Sequence, residues 1–300
     1  MPFRAFTSDR LSGWHLLLAG VLCALGIWVM REAWTEIFVD YAWRDEEYSH
    51  IFIVPVVAAW MAWVRRMRFR HCRPSGTILG PLIILAGWWM SWYGFHRQTT
   101  SFFHGGAVLV LIGCAISALG KNFLFRFFPA ILVLLFLVPV PGQVRQNIAV
   151  PLQTWTAQVS QAVLEVVGVE TELSGNALII NGQAVMIEEA CNGMRMVFPL
   201  LLIGYAFSFA LPLRQSVRML IILFSPVVAI ACNVLRTVPT IWLAGNANRI
   251  APDGGELLFR KFHDASGWIM LPVAFLFLLL LIRLLKWAMV PVQRYTLASQ

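Results

Sequence analysis

Cys191 lies in the stretch Glu188-Glu189-Ala190-Cys191-Asn192-Gly193-Met194-Arg195, directly ahead of an apolar run from Met196 to Leu211. A thiol in the first turn of a helix, beside a cation, is a nucleophile in waiting. The helix N-terminus and the positive charge both favour the thiolate, the form that attacks carbonyls. Two further polar clusters interrupt apolar sequence, Asn233-Val234-Leu235-Arg236 and Phe262-His263-Asp264. A cysteine, an arginine and a histidine supply the parts of an acyl-transfer site: nucleophile, charge stabiliser and proton carrier. The competing readings of Cys191 are a packed core thiol and a disulfide with Cys232. Cys232 precedes Arg236 by one helical turn within apolar sequence, which favours a buried free thiol at that position.

The elements that must position these residues are membrane helices. The 300 residues are 59% hydrophobic and 13% charged, against about 25% charged in a soluble domain. Apolar stretches of spanning length fall at about 12–30, 49–64, 77–94, 103–119, 123–141, 193–211, 217–235 and 264–287. The expected fold is therefore an all-α polytopic membrane protein with about eight transmembrane helices. It is expected to form one membrane-embedded domain over residues 1–300, with an outer-face insert at about 142–190. The segment 148–168 alternates Gln153, Thr154, Gln158, Ser160, Gln161 and Glu165 with Leu152, Trp155, Val159, Val163 and Val167. That amphipathic pattern predicts an interfacial or re-entrant helix.

Charge decides the threading. With the N-terminus in the cytoplasm and eight spans, 14 of the 23 basic residues fall on the inner side together with one acid, Asp9. The outer side receives the remaining 9 basic residues and 14 of the 15 acids. This satisfies the positive-inside rule, so the net charge of +8 reports topology and no nucleic-acid partner is expected. The same threading brings Cys191, Arg236 and His263 to the outer boundary of three different spans.

Leu178-Ile179-Ile180, Asn181-Gly182 and Gln183-Ala184-Val185-Met186-Ile187 read as a small outer β-hairpin, because Asn-Gly between short apolar runs suits a two-residue turn. It would deliver the chain into the Cys191 turn. The polar, Gly-rich stretch from Gly245 to Lys261 reads as a mobile loop able to act as a lid or docking loop. Asp264 could orient the imidazole of His263, and Gly267 would allow close helix approach. Of the other histidines, His50, His96 and His104 also fall outside. No H-E-x-x-H or C-x-x-C spacing occurs, so neither a metal nor a cofactor is expected.

The run Glu189-Ala190-Cys191-Asn192-Gly193-Met194-Arg195, then Asn233-x-x-Arg236, then His263, resembles the exosortase/archaeosortase family. Tyr48-Ser49-His50 followed by Pro55 is similar to the N-terminal signature of exosortases, with Ile51 where the family has glycine. The resemblance implies a membrane cysteine protease or transpeptidase. Its substrates would be secreted proteins ending in a short motif such as Pro-Glu-Pro, an apolar transmembrane helix and a basic tail. By the family pattern Cys191 is the nucleophile, Arg236 stabilises the thiolate or the oxyanion, and His263 is the general acid/base. Glu189, Asn192, Gly193, Arg195, Asn233, Asp264, Tyr48 and His50 take supporting or substrate-binding parts. The setting implied is the bacterial cytoplasmic membrane, among lipids, with the site facing outward and an acceptor nucleophile that the residues do not name. The competing class is a multi-pass transporter or polysaccharide-export component without covalent chemistry; internal repeats and broken helix pairs would mark it, and neither is evident.

Overall fold

The computed structural model describes residues 12–72, 77–175, 177–186, 194–252 and 254–288. The chain divides into two compact units, residues 1–149 and 150–300.

In the first unit α1 (Gly13–Val29) leads into a short α2 (Arg31–Thr35), which runs on as a π-helical segment, Glu36–Trp43. The chain bends by 86° between α1 and this continuation. Asp45 then caps a 3-10 helix, Glu46–Phe52, by accepting a hydrogen bond from the Glu47 amide at 3.0 Å. α3 (Val54–Val64) follows with Pro55 in its first turn, where a missing amide hydrogen costs nothing. After a 3-10 turn at Arg66–His71 come α4 (Leu79–His96), α5 (Thr100–Leu119) and α6 (Lys121–Leu132), the last ending in a 3-10 turn, Val133–Leu137.

The α4–α5 contact is a glycine seam. Gly80, Gly87 and Gly94 recur every seven residues on α4, and each faces backbone of α5. A Cβ at Gly87 would sit 2.8 Å from the Gly106 carbonyl oxygen, and one at Gly113 would sit 2.7 Å from Ile84 Cγ1. Without a hydrophobic drive between helices in lipid, such close approach is what holds a pair together. The rest of α4 is inside-out by the standards of a soluble helix. It buries Gly80, Gly87, Ser91 and Gly94 and exposes Leu82, Leu85, Trp88, Trp89 and Trp92. Large apolar side chains turned outward over a whole helix face belong against lipid.

α7 (Gly142–Val166) carries the chain from the first unit into the second. The segment expected to be amphipathic is helical, and its polarity is also inverted. Thr156, Ala157, Ser160 and Leu164 are buried, while Trp155, Val159, Val163 and Val166 are exposed. Three antiparallel strands follow in the order β1 (Glu172–Ser174), β2 (Ala177–Ile180), β3 (Gln183–Met186). The expected hairpin is present, with Asn181 and Gly182 at φ of 54° and 78°, both positive as a type I′ turn requires. β1 is an addition to it. The unit ends with α8 (Met194–Ala210), α9 (Gln215–Ile250) and α10 (Gly255–Ala288).

Among the described residues four helices are long and apolar enough to cross a membrane: Glu47–Val64, Thr100–Leu119, Gln215–Ala247 and Gly255–Trp287. The number rises to six if the pairs Gly13–Val29 with Arg31–Trp43 and Lys121–Leu137 with Gly142–Val166 each cross once. The protein is thus multi-pass and almost wholly helical. Each of the eight apolar segments is helical, but by length and composition the candidate crossings number four to six. Val197–Ala210 is apolar and shorter, and α4 is diluted by its glycines and tryptophans.

Two boundaries differ from expectation. α9 does not stop near residue 235 but continues to Ile250, and α10 begins at Gly255. The stretch Gly245 to Lys261 is therefore mostly helix and not the loop expected. Nor does Gly267 serve close approach among the described residues, none of which lies within 4 Å of where its Cβ would be.

Candidate active site

Arg236 sits in the middle of α9, and its side chain is turned inward, 4% exposed. Its Nη2 donates to His263 Nε2 of α10 at 2.9 Å, across 27 residues of sequence. Arginine can only donate, so Nε2 must accept. The imidazole is therefore neutral in this pair, with its proton on Nδ1. Nδ1 lies 3.6 Å from Asp264 Oδ1, beyond a hydrogen bond, and the Asp264 side chain is 77% exposed. Asp264 thus stands beside Nδ1 without a hydrogen bond to it, and Arg236 holds the other ring nitrogen. The ring of Phe259, one turn earlier on α10, lies with its centroid 6.0 Å from that of His263.

The backbone around Arg236 is reinforced by its own helix. Thr237 donates to the Asn233 carbonyl and Thr240 to the Arg236 carbonyl, each at 2.7 Å. Asn233, one turn before Arg236, is 2% exposed. Its Nδ2 donates to Thr156 Oγ1 of α7 at 3.5 Å, while among the described residues its Oδ1 and the Ser160 hydroxyl are buried without a partner. A polar seam therefore runs between α7 and α9 beside the Arg236–His263 pair. Thr156 and Ser160 were not singled out by their sequence context; the only signal was that two small hydroxyl residues stand four apart on one helix.

The helix that follows the cysteine motif is level with Arg236. Val197 and Leu200 of α8 share a core with Ala229 and Cys232 of α9 and Ala274 of α10. Running antiparallel, α8 reaches its start as α9 reaches the turn that holds Arg236. Cys232 is 1% exposed and its thiol is free. Cys191, Glu189, Asn192 and Gly193 lie outside the described residues, and Arg195 is described only as helical backbone in α8.

The hairpin is pinned to the far end of α9. Asn181 Nδ2 donates to the Gly245 carbonyl at 3.2 Å and to Asn246 Oδ1 at 3.1 Å. Gly245 is needed there, because a Cβ would come within 2.6 Å of Ile180 Cβ. Leu178, Ile180 and Val185 are buried with Ala157 and Leu164 of α7 and Ile241 of α9.

Tyr48 and His50 belong to a separate cluster in the first unit, and both are buried. The Tyr48 hydroxyl donates to the Val140 carbonyl at 3.2 Å, and its ring lies edge-on to Tyr41. His50 Nδ1 is 3.3 Å from the Glu47 carbonyl. Arg145 closes the cluster, donating to Glu47 at 2.6 Å and lying 3.5 Å from Asp45. Beside it, fully buried His104 pairs with Glu36 at 2.9 Å, and its ring lies edge-on to Tyr41. Neither pair was legible in the sequence, because its members stand 68 and 98 residues apart.

Neither the curated proteins nor the solved structures contain a match to this chain. A family profile does match, that of the Transmembrane exosortase family (Exosortase_EpsH), over residues 42–280. The match takes in Tyr48, His50 and Arg145, the hairpin and the whole stretch from the cysteine motif to His263. The chain belongs to the transmembrane exosortase family.

Proposed function

We propose that this membrane sorting enzyme is a cysteine peptidase or transpeptidase with Cys191 as nucleophile, Arg236 as charge stabiliser and His263 as proton carrier. The observation that carries the reading is the Arg236–His263 contact at 2.9 Å. Two residues far apart in sequence, both in the family's three-part motif, meet on neighbouring helices at the level where α8 begins. A buried guanidinium there favours a thiolate and later an oxyanion, since charge stabilisation gains strength where water is excluded.

The chemistry runs in two steps. The Cys191 thiol gives its proton to His263, and the thiolate attacks the carbonyl of the scissile peptide. The tetrahedral oxyanion is held by Arg236. The carbon–nitrogen bond breaks as the imidazolium returns the proton to the leaving amine, and a thioester remains. An acceptor nucleophile then attacks the thioester and passes its proton to His263; the carbon–sulfur bond breaks as the imidazolium returns that proton to the departing sulfur, which restores the thiol. Nε2 can receive a proton only when Arg236 leaves it, so the transfer that makes the thiolate also frees the guanidinium for the oxyanion that forms next.

The substrates are secreted proteins ending in a short motif, an apolar helix and a basic tail. The chain acts as one domain in the bacterial cytoplasmic membrane, crosses it eight times and keeps the site on the outer face. A reporter protein with a Pro-Glu-Pro motif, an apolar helix and a basic tail tests the function. The full-length enzyme should shorten the reporter, and Cys191→Ala should not. A thioester-linked reporter, released by hydroxylamine, should accumulate when no acceptor is present. Shortening by the Cys191→Ala protein would overturn the reading.

A further inference from the structure

β3 is the strand from which the chain continues toward Cys191, which follows Met186 by five residues. It ends the sheet, and among the described residues no backbone group bonds to its open side. The turn decides which groups face that side. A two-residue turn closes with its flanking residues, Ile180 and Gln183, exchanging hydrogen bonds, and the antiparallel ladder alternates from there. Gln183 and Val185 therefore direct their amide and carbonyl groups to β2. Ala184 and Met186 direct theirs outward.

The two edges of the sheet are not alike. β1 has three residues and opens with Glu172, and a charge on a short strand discourages pairing. β3 reads Gln-Ala-Val-Met, with no charge and no proline. It is also rigid, because Val185 is buried beside Leu178 and Ile180, and Asn181 is tied to Gly245 and Asn246. A rigid, uncharged and unpaired edge is a template for an extended chain.

We propose that the open edge of β3 binds the extended segment of the substrate next to the scissile bond, as a fourth strand. The inference rests on the assignment of Cys191 as nucleophile. Five residues of chain span at most about 17 Å, so the chain length from Met186 sets an upper limit on how far the thiol can stand from this edge. Prolines two apart suit such pairing. Strand geometry has a period of two, so both missing amide hydrogens of a Pro-Glu-Pro motif point away from the edge, and the glutamate's amide and carbonyl point toward it. Binding through the backbone fixes the register, which places one particular bond at the nucleophile.

The test has two arms in membranes holding the full chain. Ala184→Pro removes one outward amide hydrogen and no ladder bond, at an edge position where proline is tolerated. It should raise the KM for the Pro-Glu-Pro reporter about two- to tenfold, the worth of one hydrogen bond. The rate at which a small maleimide alkylates Cys191 should stay at the wild-type value. Unchanged KM would overturn the proposal. The second arm is independent of turnover and of whether the proline variant folds. In a Cys191→Ala background, Ala184→Cys should form an oxidative cross-link with a cysteine at the reporter's glutamate position. Glu172→Cys, on the opposite edge, should not. Equal cross-linking at both edges, or none at Ala184→Cys, would overturn the edge assignment. Reporter cleavage by Cys191→Ala protein would instead overturn the nucleophile and leave the cross-link to decide the edge.

Discussion

Arg236 is the residue on which the chemistry turns, and its contact with His263 Nε2 separates the two roles open to it. If the guanidinium helps hold a thiolate, Arg236→Ala should slow alkylation of Cys191 and cut processing by about 10²–10³-fold, the loss seen when one oxyanion donor is removed. Arg236→Lys should restore the alkylation rate but not full turnover, because an ammonium lacks the planar fork that can hold a histidine and an oxyanion in turn. Alkylation unchanged in Arg236→Ala, with processing lost, would confine the arginine to the oxyanion. The other cysteines give the control. Cys72, between the spans, is fully buried with its Sγ 3.5 Å from the Arg68 carbonyl. Burial raises its pKa, against an opposing pull from Arg126. Less thiolate at neutral pH means slower alkylation. A maleimide should therefore label Cys191 well before Cys72 or Cys232 at pH 7, and the Cys72 rate should climb only as the pH rises into the alkaline range. Faster labelling of Cys72 at pH 7 would contradict the burial seen here.

Among the elements, the glycine seam of α4 and α5 carries the first unit. Gly106→Leu drives a side chain into backbone of α4 around Gly87 and Ser91, and overpacking of this kind costs about 1–3 kcal/mol where neighbours can shift, more where they are backbone. The variant should lose thermal stability in detergent and fall in membrane abundance, while Gly20→Leu, with open space around it, should match the wild type. Equal stability of the two would remove the seam as a determinant. The sequence made some elements plain and hid others. The hairpin was legible because Asn181-Gly182 specifies its own turn. The extension of α9 to Ile250 was hidden, because Asn233, Arg236, Thr237 and Thr240 look like the end of a span. The two threonine hydroxyls are met within the helix, the Asn233 amide nitrogen by α7 and the Arg236 guanidinium by His263, so polar residues here do not end the helix. Cys191, Arg236 and His263 were legible as types, whereas Thr156, Glu36 with His104, and Arg145 with Glu47 depend on tertiary neighbours that no local pattern reports.

At the scale of the whole molecule, charge and burial give separate constraints. Burial says which faces meet lipid: Trp88, Trp89 and Trp92 on α4, Trp155 and Val159 on α7, Trp268, Ile269 and Leu276 on α10 are all exposed. Charge favours one orientation if the chain crosses eight times, because 14 of 23 basic residues then gather on one side with a single acid. Length and composition alone support four to six crossings, and the two counts make different predictions. With eight crossings and a cytoplasmic N-terminus, Gly182 at the hairpin turn and Gly254 between α9 and α10 both lie outside, and Gln215 at the start of α9 lies inside. α9 must then cross in the outward direction and α10 in the inward one, which puts Arg283 and Lys286 in the cytoplasm. In a background without other reactive cysteines, Gly182→Cys and Gly254→Cys should react with an impermeant maleimide added to intact cells. Gln215→Cys should react only after the membrane is opened. Gly182→Cys protected from the outside reagent would reverse α8, α9 and α10 together. It would place the arginine–histidine pair nearer the wrong face for a secreted substrate, so the sorting function stands or falls with that one label.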